Sequence, residues 1–419
     1  MIRMNGYLKK TTAWILILLS LLFPLHAIPE GMGDGQWLVD DSAEERSRVK
    51  ELIEILPLQE KICQLFFIAP EQISKEIPVY TANETFLSAF SRFPVGGIIL
   101  FSRNIRKNEI VSFIAGMQQA AAESRGIGLF IGVDEEGGRI SRVASRLKLK
   151  ERQPDPEKTG TPENAFASGR IIGEYLSEYG FNLDFAPVAD VRSDVRGAEI
   201  TTRSFGRDPA EVGRMVARFT EGLHSQHIIS VLKHFPGHGA VSGDTHQGAG
   251  ISRRTPEELR HADFIPFGAG IAVGADMIMI SHQIAENIDP ERPASLSPAV
   301  FSILREELGF RGVIITDALR MGAVSNRYRS GEACVMALEA GADLLLLPSD
   351  FTGALEAVEK AVREGRISEE RIDESLRRVL FLKEKYGLIQ DAGFLRPSGG
   401  KSRAMLYPGD RAHDAAGYK

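Results

Sequence analysis

The chain has 419 residues, of which 43% are hydrophobic and 25% are charged. This length and composition are those of a globular protein with room for one large barrel or two ordinary domains, and they exclude general disorder. The net charge of -6 argues against a general nucleic-acid-binding protein, because such proteins usually carry a basic face that neutralises phosphates.

The first thirty residues differ from the rest of the chain. Arg3, Lys9 and Lys10 precede an uncharged apolar run at residues 13–25. This arrangement is typical of a secretory signal, and the run is shorter than the roughly 18 to 20 residues that span a bilayer comfortably. We therefore predict that residues 1–27 are a cleaved signal peptide, with an uncleaved N-terminal anchor as the alternative. Both interpretations predict an exported protein, periplasmic or extracellular.

Eight short apolar runs follow, and each precedes a loop and a stretch with helical periodicity. The runs are Leu65–Ile68, Gly97–Phe101, Leu129–Val133, Leu183–Pro187, Ile229–Leu232, Met277–Ile280, Val313–Ile315 and Leu344–Leu347. Near-continuous apolar strands separated by helices indicate a parallel sheet that is covered on both faces, and eight such units suit a closed barrel. We predict an α/β fold, a single (β/α)8 TIM barrel over residues 45–390, with a doubly wound open sheet as the alternative.

The covering layer and the end of the chain are also visible in the sequence. Helical periodicity is clearest over Glu163–Glu178, Ala210–His224 and Glu369–Tyr386, and Pro256 marks a further helix start. Residues 391–419 are polar and lack periodicity, so we expect a flexible tail with no catalytic role. Cys63 and Cys334, the two cysteines, have no metal-binding spacing and are predicted to be buried.

Charged residues directly follow several of the predicted strands. Because active sites of such barrels form at the C-terminal ends of the strands, side chains from separate strands should meet on that face. They are Asp134, Glu135, Glu136, Arg139, Asp190, Lys233, His234, His282 and Asp317. A carboxylate directly after a buried strand is rigidly aimed, which suits a nucleophile. Asp317 fits this description, although an aspartate there also suits the cap of a following helix.

The segment from Lys233 to His246 carries three histidines, one lysine and one aspartate among glycines and a proline. His246 follows Asp244 by two residues, a spacing that lets the carboxylate bind one imidazole nitrogen and fix the tautomer. His246 is therefore a candidate general acid and base. Two alternatives are a histidine that merely fills a polar pocket, and a metal site formed by His234, His238, His246 and Asp244.

This segment, which reads Lys-His-Phe-Pro-Gly-His-Gly and then Asp-Thr-His, resembles a known signature. It is the K-H-F-P-G-H-G-x(4)-D-[ST]-H pattern of bacterial β-N-acetylglucosaminidases in glycoside hydrolase family 3. Supporting matches lie at residues 60–66, 95–101 and 372–380, so the resemblance covers roughly residues 45 to 390.

The resemblance implies a role for each matching position. Asp317 matches the catalytic nucleophile, and His246 matches the acid/base, assisted by Asp244. The positions that match saccharide contacts are Asp134, Arg142, Arg203, Lys233 and His234. For Arg142 and Arg203 the alternative is a structural ion pair that braces a barrel loop.

The resemblance therefore implies an exo-acting, retaining β-N-acetylglucosaminidase, that is, a β-N-acetylhexosaminidase. It would hydrolyse terminal non-reducing N-acetyl-β-glucosaminides of peptidoglycan or chitin-type fragments through a covalent glycosyl-aspartate. No metal or organic cofactor is expected, nor a nucleic-acid partner, and the protein is expected to be a monomer with membrane attachment only through its N-terminal segment. Because an imidazole acid does not repel an anion, a β-N-acetylglucosaminide phosphorylase is one alternative. A non-catalytic saccharide-binding barrel is another.

Overall fold

The computed structural model describes residues 43–74, 76–194, 200–241 and 250–390. The predicted signal or anchor at 1–27, the predicted tail at 391–419, and both Asp244 and His246 lie outside these ranges. In the ranges that are described, no helix is at once long enough and apolar enough to cross a membrane.

An eight-stranded sheet forms the centre of the described structure. Its strands are β1 (Phe66–Ile68), β2 (Gly97–Ile99), β3 (Phe130–Val133), β4 (Leu183–Asp184), β5 (Ile229–Phe235), β6 (Met277–Ile280), β7 (Val313–Thr316) and β8 (Leu345–Leu346). Neighbouring strands pair in parallel in the order β7-β6-β5-β4-β3-β2-β1-β8. A parallel bridge between Ile315 and Leu344 joins the two ends. The predicted (β/α)8 barrel is confirmed, and the open-sheet alternative is wrong.

Aromatic side chains fill the barrel interior. The ring of Phe67 on β1 meets that of Phe185, which follows β4, at a centroid distance of 5.3 Å. Since β1 and β4 are not neighbours, this contact passes through the centre of the barrel. A Cβ atom at Gly97 would lie 2.6 Å from the Phe67 ring, and one at Gly132 would lie 2.8 Å from Phe185. Glycines on β2 and β3 therefore make room for these rings in a packed core.

Helices cover the outside of the barrel. The α-helices are Ala43–Ile55, Leu58–Cys63, Glu84–Arg92, Ile110–Arg125, Arg142–Leu147, Pro162–Glu178, Pro209–His224, Pro256–His261, Phe264–Ala272, Pro298–Ser302, Gly322–Ser325, Ser330–Ala340, Phe351–Arg363 and Glu369–Lys385. Short 3-10 helices lie at Pro70–Gln72, Pro156–Lys158, Thr201–Arg203 and Ala294–Leu296, and a short π-helix lies at Ile303–Glu307. The helices predicted from periodicity are confirmed. Thr161, Asp208 and Ser368 cap three of them by accepting a backbone N–H.

Two short sheets shape the loops above the barrel. After β3 the chain forms an antiparallel ribbon of Glu135–Gly137 with Ile140–Ser141, and then enters the helix that starts at Arg142. Farther on, Ile251–Ser252 pairs in parallel with Ile284–Ala285. The ribbon turns the chain back so that Arg142 returns to the end of β3. Cys63 and Cys334 are both buried and unbonded, as predicted.

Candidate active site

A cavity of about 440 Å³ lies at the C-terminal ends of the strands. The predicted site residues that line it are Asp134, Arg142, Arg203, Lys233, His234 and Asp317. They come from four strand ends and the loops after them, and closure of the barrel brings them together. Glu136 and His238 line the same cavity. Asp244 and His246 lie outside the described residues, so their placement stays a prediction.

Lys233 lies between two carboxylates at the bottom of the cavity. Its side chain is 2% exposed, and its Nζ is 2.9 Å from Asp134 Oδ1 and 2.7 Å from Glu136 Oε1. Burial acts to lower the pKa of this ammonium group, but the two carboxylates outweigh burial and the net pKa is raised. Lys233 is therefore a fixed cation. Its ammonium group has one further N–H available for a ligand in the cavity that it lines.

Asp134 directly follows β3 and is also held by Arg142. Arg142 donates from Nε to Asp134 Oδ2 at 3.1 Å. Burial acts to raise the pKa of Asp134, but Lys233 and Arg142 outweigh burial and lower it. Arg142 thus makes the structural ion pair that was one alternative, and it also lines the cavity as a saccharide contact would.

Glu136 is a site residue that the sequence placed after β3 without indicating a role for it. Its side chain is 1% exposed and receives two hydrogen bonds from Arg203, 2.8 Å from Nε and 2.7 Å from the terminal nitrogen. Burial opposes ionisation of Glu136, but Arg203 and Lys233 hold its pKa well below the ordinary value. Because side chains alternate along an extended segment, Glu136 falls on the same side as Asp134. That alternation was a signal that could have identified it.

His234 is oriented by Asp190, a buried carboxylate that follows β4. Its Nδ1 lies 2.7 Å from Asp190 Oδ2, and Asp190 also accepts the backbone N–H of His238 at 2.6 Å. Burial acts to raise the pKa of Asp190, but the adjacent His234 outweighs it and the pKa is lowered. On the other side, His234 Nε2 lies 3.5 Å from a terminal nitrogen of Arg203. A guanidinium only donates, so this geometry favours the tautomer with the proton on Nδ1.

Asp317 directly follows β7 and lies on the cavity wall. Its Oδ1 accepts the backbone N–H of Ala318 at 2.7 Å. The next helix begins at Gly322 with Met321 at the N-cap position, so the interpretation of Asp317 as a helix cap is wrong. Burial acts to raise the pKa of Asp317, but His282 and His234 outweigh it and lower the pKa. Asp317 therefore stays ionised at neutral pH, as a nucleophile must.

His282 does not line the cavity, but it lies close enough to Asp317 to help lower the pKa of that carboxyl group. It is buried, its Nε2 lies 3.0 Å from the carbonyl oxygen of Ala318, and its Nδ1 lies 2.7 Å from Ser295 Oγ. These contacts fix the ring beneath the nucleophile loop. His282 was predicted to lie on this face of the barrel, but no role for it followed from the sequence.

A metal site was one alternative for the histidine-rich segment from Lys233 to His246. Across the described ranges, no three His, Cys, Asp or Glu residues are grouped as metal ligands. Of the four ligands in that alternative, only His234 and His238 are described, and their ring centroids are 5.7 Å apart.

Comparison with known protein families settles the family. The model of the glycosyl hydrolase family 3 N terminal domain matches residues 57–382. This chain belongs to glycosyl hydrolase family 3. The resemblance inferred from the signature is thereby confirmed, and the matched residues of the family 3 chain include every described site residue named above.

Several relatives of this family 3 chain carry activity names. A β-hexosaminidase of Stenotrophomonas maltophilia is 38% identical over 63% of this chain and 80% of its own length. The β-hexosaminidase LpqI of Mycobacterium tuberculosis is 30% identical over 78% of this chain and 83% of its own length. The structure of a family 3 β-N-acetylglucosaminidase from Paenibacillus sp. superposes with a TM-score of 0.73 at 33% identity, covering 85% of this chain and 65% of that one.

Proposed function

We propose that this chain is an exo-acting, retaining β-N-acetylglucosaminidase that hydrolyses terminal non-reducing N-acetyl-β-glucosaminides. The observation that carries the proposal is the Asp317 carboxylate at the end of β7, in a cavity where Asp134, Glu136, Lys233, Arg142 and Arg203 hold one another in place. The cavity volume, about 440 Å³, suits a small saccharide end. Relatives named as β-hexosaminidases and a β-N-acetylglucosaminidase support the choice of sugar.

The buried charges suit the recognition of a neutral sugar. Asp134 accepts hydrogen bonds and Lys233 donates them, and hydrogen bonds from ionised groups to hydroxyls are shorter and stronger than neutral ones. Arg203 and Arg142 hold the two carboxylates of this cluster in place. The sugar would therefore meet donors and acceptors that need no reorganisation during the reaction.

The chemistry that we propose is double displacement. A carboxylate oxygen of Asp317 attacks the anomeric carbon, the bond to the aglycone oxygen breaks, and that oxygen takes a proton from His246. In the second step water attacks the anomeric carbon and gives a proton to His246, while the bond to Asp317 breaks. Asp244 would hold the His246 imidazole and stabilise its charged form. Two inversions retain the β configuration.

We also propose that the enzyme is an exported monomer, released or anchored by residues 1–27, with peptidoglycan or chitin-type fragments as substrates. The apolar run at residues 13–25 after basic residues supports export. The proposed chemistry needs no metal or organic cofactor. The Asp317 carboxylate forms and releases the bond to the sugar, and the His246 imidazole donates and accepts the protons.

The proposal is tested with 4-nitrophenyl N-acetyl-β-glucosaminide and the matching β-glucoside, each with and without phosphate. We expect nitrophenol release from the N-acetyl substrate and a loss of at least about a thousandfold in kcat for Asp317→Asn, because the nucleophile is removed. Glu364→Gln, which alters an exposed carboxylate outside the cavity lining, is the matched control.

Three outcomes would contradict parts of this account. No release from the N-acetyl substrate would overturn the activity, and full activity of Asp317→Asn would overturn the nucleophile. A sugar 1-phosphate formed in phosphate buffer would identify a phosphorylase instead of a hydrolase.

A further inference from the structure

Three guanidinium groups converge on Phe101, an aromatic ring in the cavity wall that follows β2. The central guanidinium carbons of Arg103, Arg142 and Arg320 lie 4.7, 5.5 and 5.2 Å from the ring centroid. Such distances are those of cation–π contacts. Phe101, Arg142 and Arg320 all line the cavity, so one part of its wall is strongly cationic.

Two of the three cations are neutralised by carboxylates. Arg142 pairs with Asp134, as described above, and Arg103 donates to both oxygens of Glu71 at 3.0 and 3.1 Å. Glu71 also accepts from Asn104 at 2.6 Å, which commits its carboxylate to that loop. For Arg320 no carboxylate lies within ion-pair distance in the ranges that the structure describes.

The charge of the described cavity wall is consequently unbalanced. Its cationic side chains are Arg142, Arg203, Lys233 and Arg320, whereas its carboxylates are Asp134, Glu136 and Asp317. Partial burial and the neighbouring Arg103 lower the pKa of the Arg320 guanidinium, and the Glu71 carboxylate, which acts in the opposite direction, does not outweigh them. This direction is the one expected of a cation whose nearby anion is committed to other partners.

Arg320 also lies at the mouth of the cavity and not at its bottom. Exposure rises from Lys233, which is almost completely buried, through Arg142 to Arg320, which is exposed. The backbone N–H of Arg320 donates to Leu347 at 3.0 Å, so the base of the side chain is fixed three residues after Asp317. In an exo-acting enzyme the terminal sugar enters first, and the aglycone remains at the mouth.

We propose that Arg320 binds a carboxylate of the aglycone, so that the enzyme prefers substrates whose leaving group is acidic. This inference rests on the proposed β-N-acetylglucosaminidase activity and specifies its substrate class. A planar guanidinium can bind a carboxylate through two parallel hydrogen bonds, and Phe101 supports its other face. Neutral chitin-type aglycones would leave this cation without a counterion.

The test compares two disaccharides with the same terminal N-acetyl-β-glucosaminyl unit. In one, the reducing sugar carries a 3-O-lactyl carboxylate, and in the other that carboxylate is converted to its methyl amide. We expect Arg320→Met to lose roughly tenfold more kcat/KM on the acid than on the amide, because an ionic hydrogen bond is removed. Arg320→Lys keeps the charge and should lose less. Arg327→Met, which removes an arginine over Tyr328 outside the cavity lining, is the control.

The ratio of the two losses cancels differences in leaving-group reactivity. Equal losses on acid and amide, or the same pattern for Arg327→Met, would overturn the carboxylate site. Free phosphate has related chemistry, so each assay is repeated with added phosphate. Formation of a sugar 1-phosphate that requires Arg320 would assign the residue to an acceptor ion and overturn the proposal. A wild-type protein that cleaves neither disaccharide nor nitrophenyl glycoside would instead overturn the underlying activity.

Discussion

The three consecutive acidic residues Asp134, Glu135 and Glu136 have different pKa values because their side chains contact different groups. Asp134 and Glu136 face Lys233 and arginines, which keep their pKa values low. Glu135, between them, faces away from the cavity. It accepts the backbone N–H groups of Val143 and Ala144 at 2.7 and 3.1 Å, but burial dominates and raises its pKa to about 7. Glu135 therefore anchors the helix that carries Arg142, whereas its neighbours present charge to the cavity.

The buried pair of Glu136 and Arg203 should matter more for stability than an exposed pair of the same kind. Removing one partner of a buried ion pair leaves an uncompensated charge, so we expect Glu136→Gln to lower the free energy of unfolding by about 3 kcal/mol. Glu332→Gln is the matched control, because Glu332 also receives two hydrogen bonds from one arginine, Arg366, but is 46% exposed. Solvent-exposed pairs contribute little. Urea unfolding at pH 7 measures the free energy of unfolding of both variants. Equal decreases for Glu136→Gln and Glu332→Gln would contradict this prediction.

At the scale of elements, the two ends of the barrel use carboxylates for different purposes. Asp134, Glu136 and Asp317, which follow strands, line the cavity. Asp276 and Asp343 precede β6 and β8 and tie the barrel to its helices. Asp276 accepts from Lys385 Nζ at 2.6 Å and Tyr386 Oη at 2.7 Å, at the end of the last helix. This division agrees with the general rule that the N-terminal end of such barrels serves stability.

The strands were predictable because each is buried on both faces and therefore reads as an apolar run. All eight were located, although β4 is shorter than Leu183–Pro187 and β5 is longer than Ile229–Leu232. The ribbon at 135–137 and 140–141 was not predicted, because its strands are too short and polar for a periodic signal. Proximity of Arg320 to Phe101 follows only from closure of the barrel, which no local pattern reveals.

Asp276 should make stability depend on pH. Burial opposes its ionisation, but His224 and Lys385 outweigh burial and lower its pKa from 3.8 to about 2. A lowered folded-state pKa adds stability that is complete above the unfolded-state pKa and is lost as the pH falls through the folded-state value. We expect Asp276→Asn to cost about 2 kcal/mol of unfolding free energy at pH 7, with the difference from wild type shrinking as the pH falls towards 2 and vanishing below it. A difference that is independent of pH would contradict this interpretation.

At the scale of the whole molecule, the described chain ends by docking onto the start of β3. Gly128 donates to Leu388 at 2.6 Å, Gln390 donates to Gly126 at 2.9 Å, and Ile389 bridges to Ile127. These contacts lie on the far side of the barrel from the cavity. The last described residues therefore pack against the segment that leads into β3.

Two shortened chains test where the functional protein ends. A chain that stops after Gln390 keeps these contacts, so we expect its thermal midpoint and kcat/KM to match those of the full chain. A chain that stops after Gly387 loses them and should melt at a lower temperature. Loss of activity on removal of residues 391–419 alone would contradict the predicted absence of a catalytic role for that segment.

The account depends most on Asp317 as the residue that carries the sugar. Incubation with a 5-fluoro N-acetyl-β-glucosaminyl fluoride should slow the second displacement and accumulate the covalent intermediate. Mass spectrometry of the acid-quenched protein should then show the mass of one sugar added, and peptide mapping should place it on Asp317. An adduct on another carboxylate such as Asp134, or turnover without any adduct, would contradict the proposed mechanism.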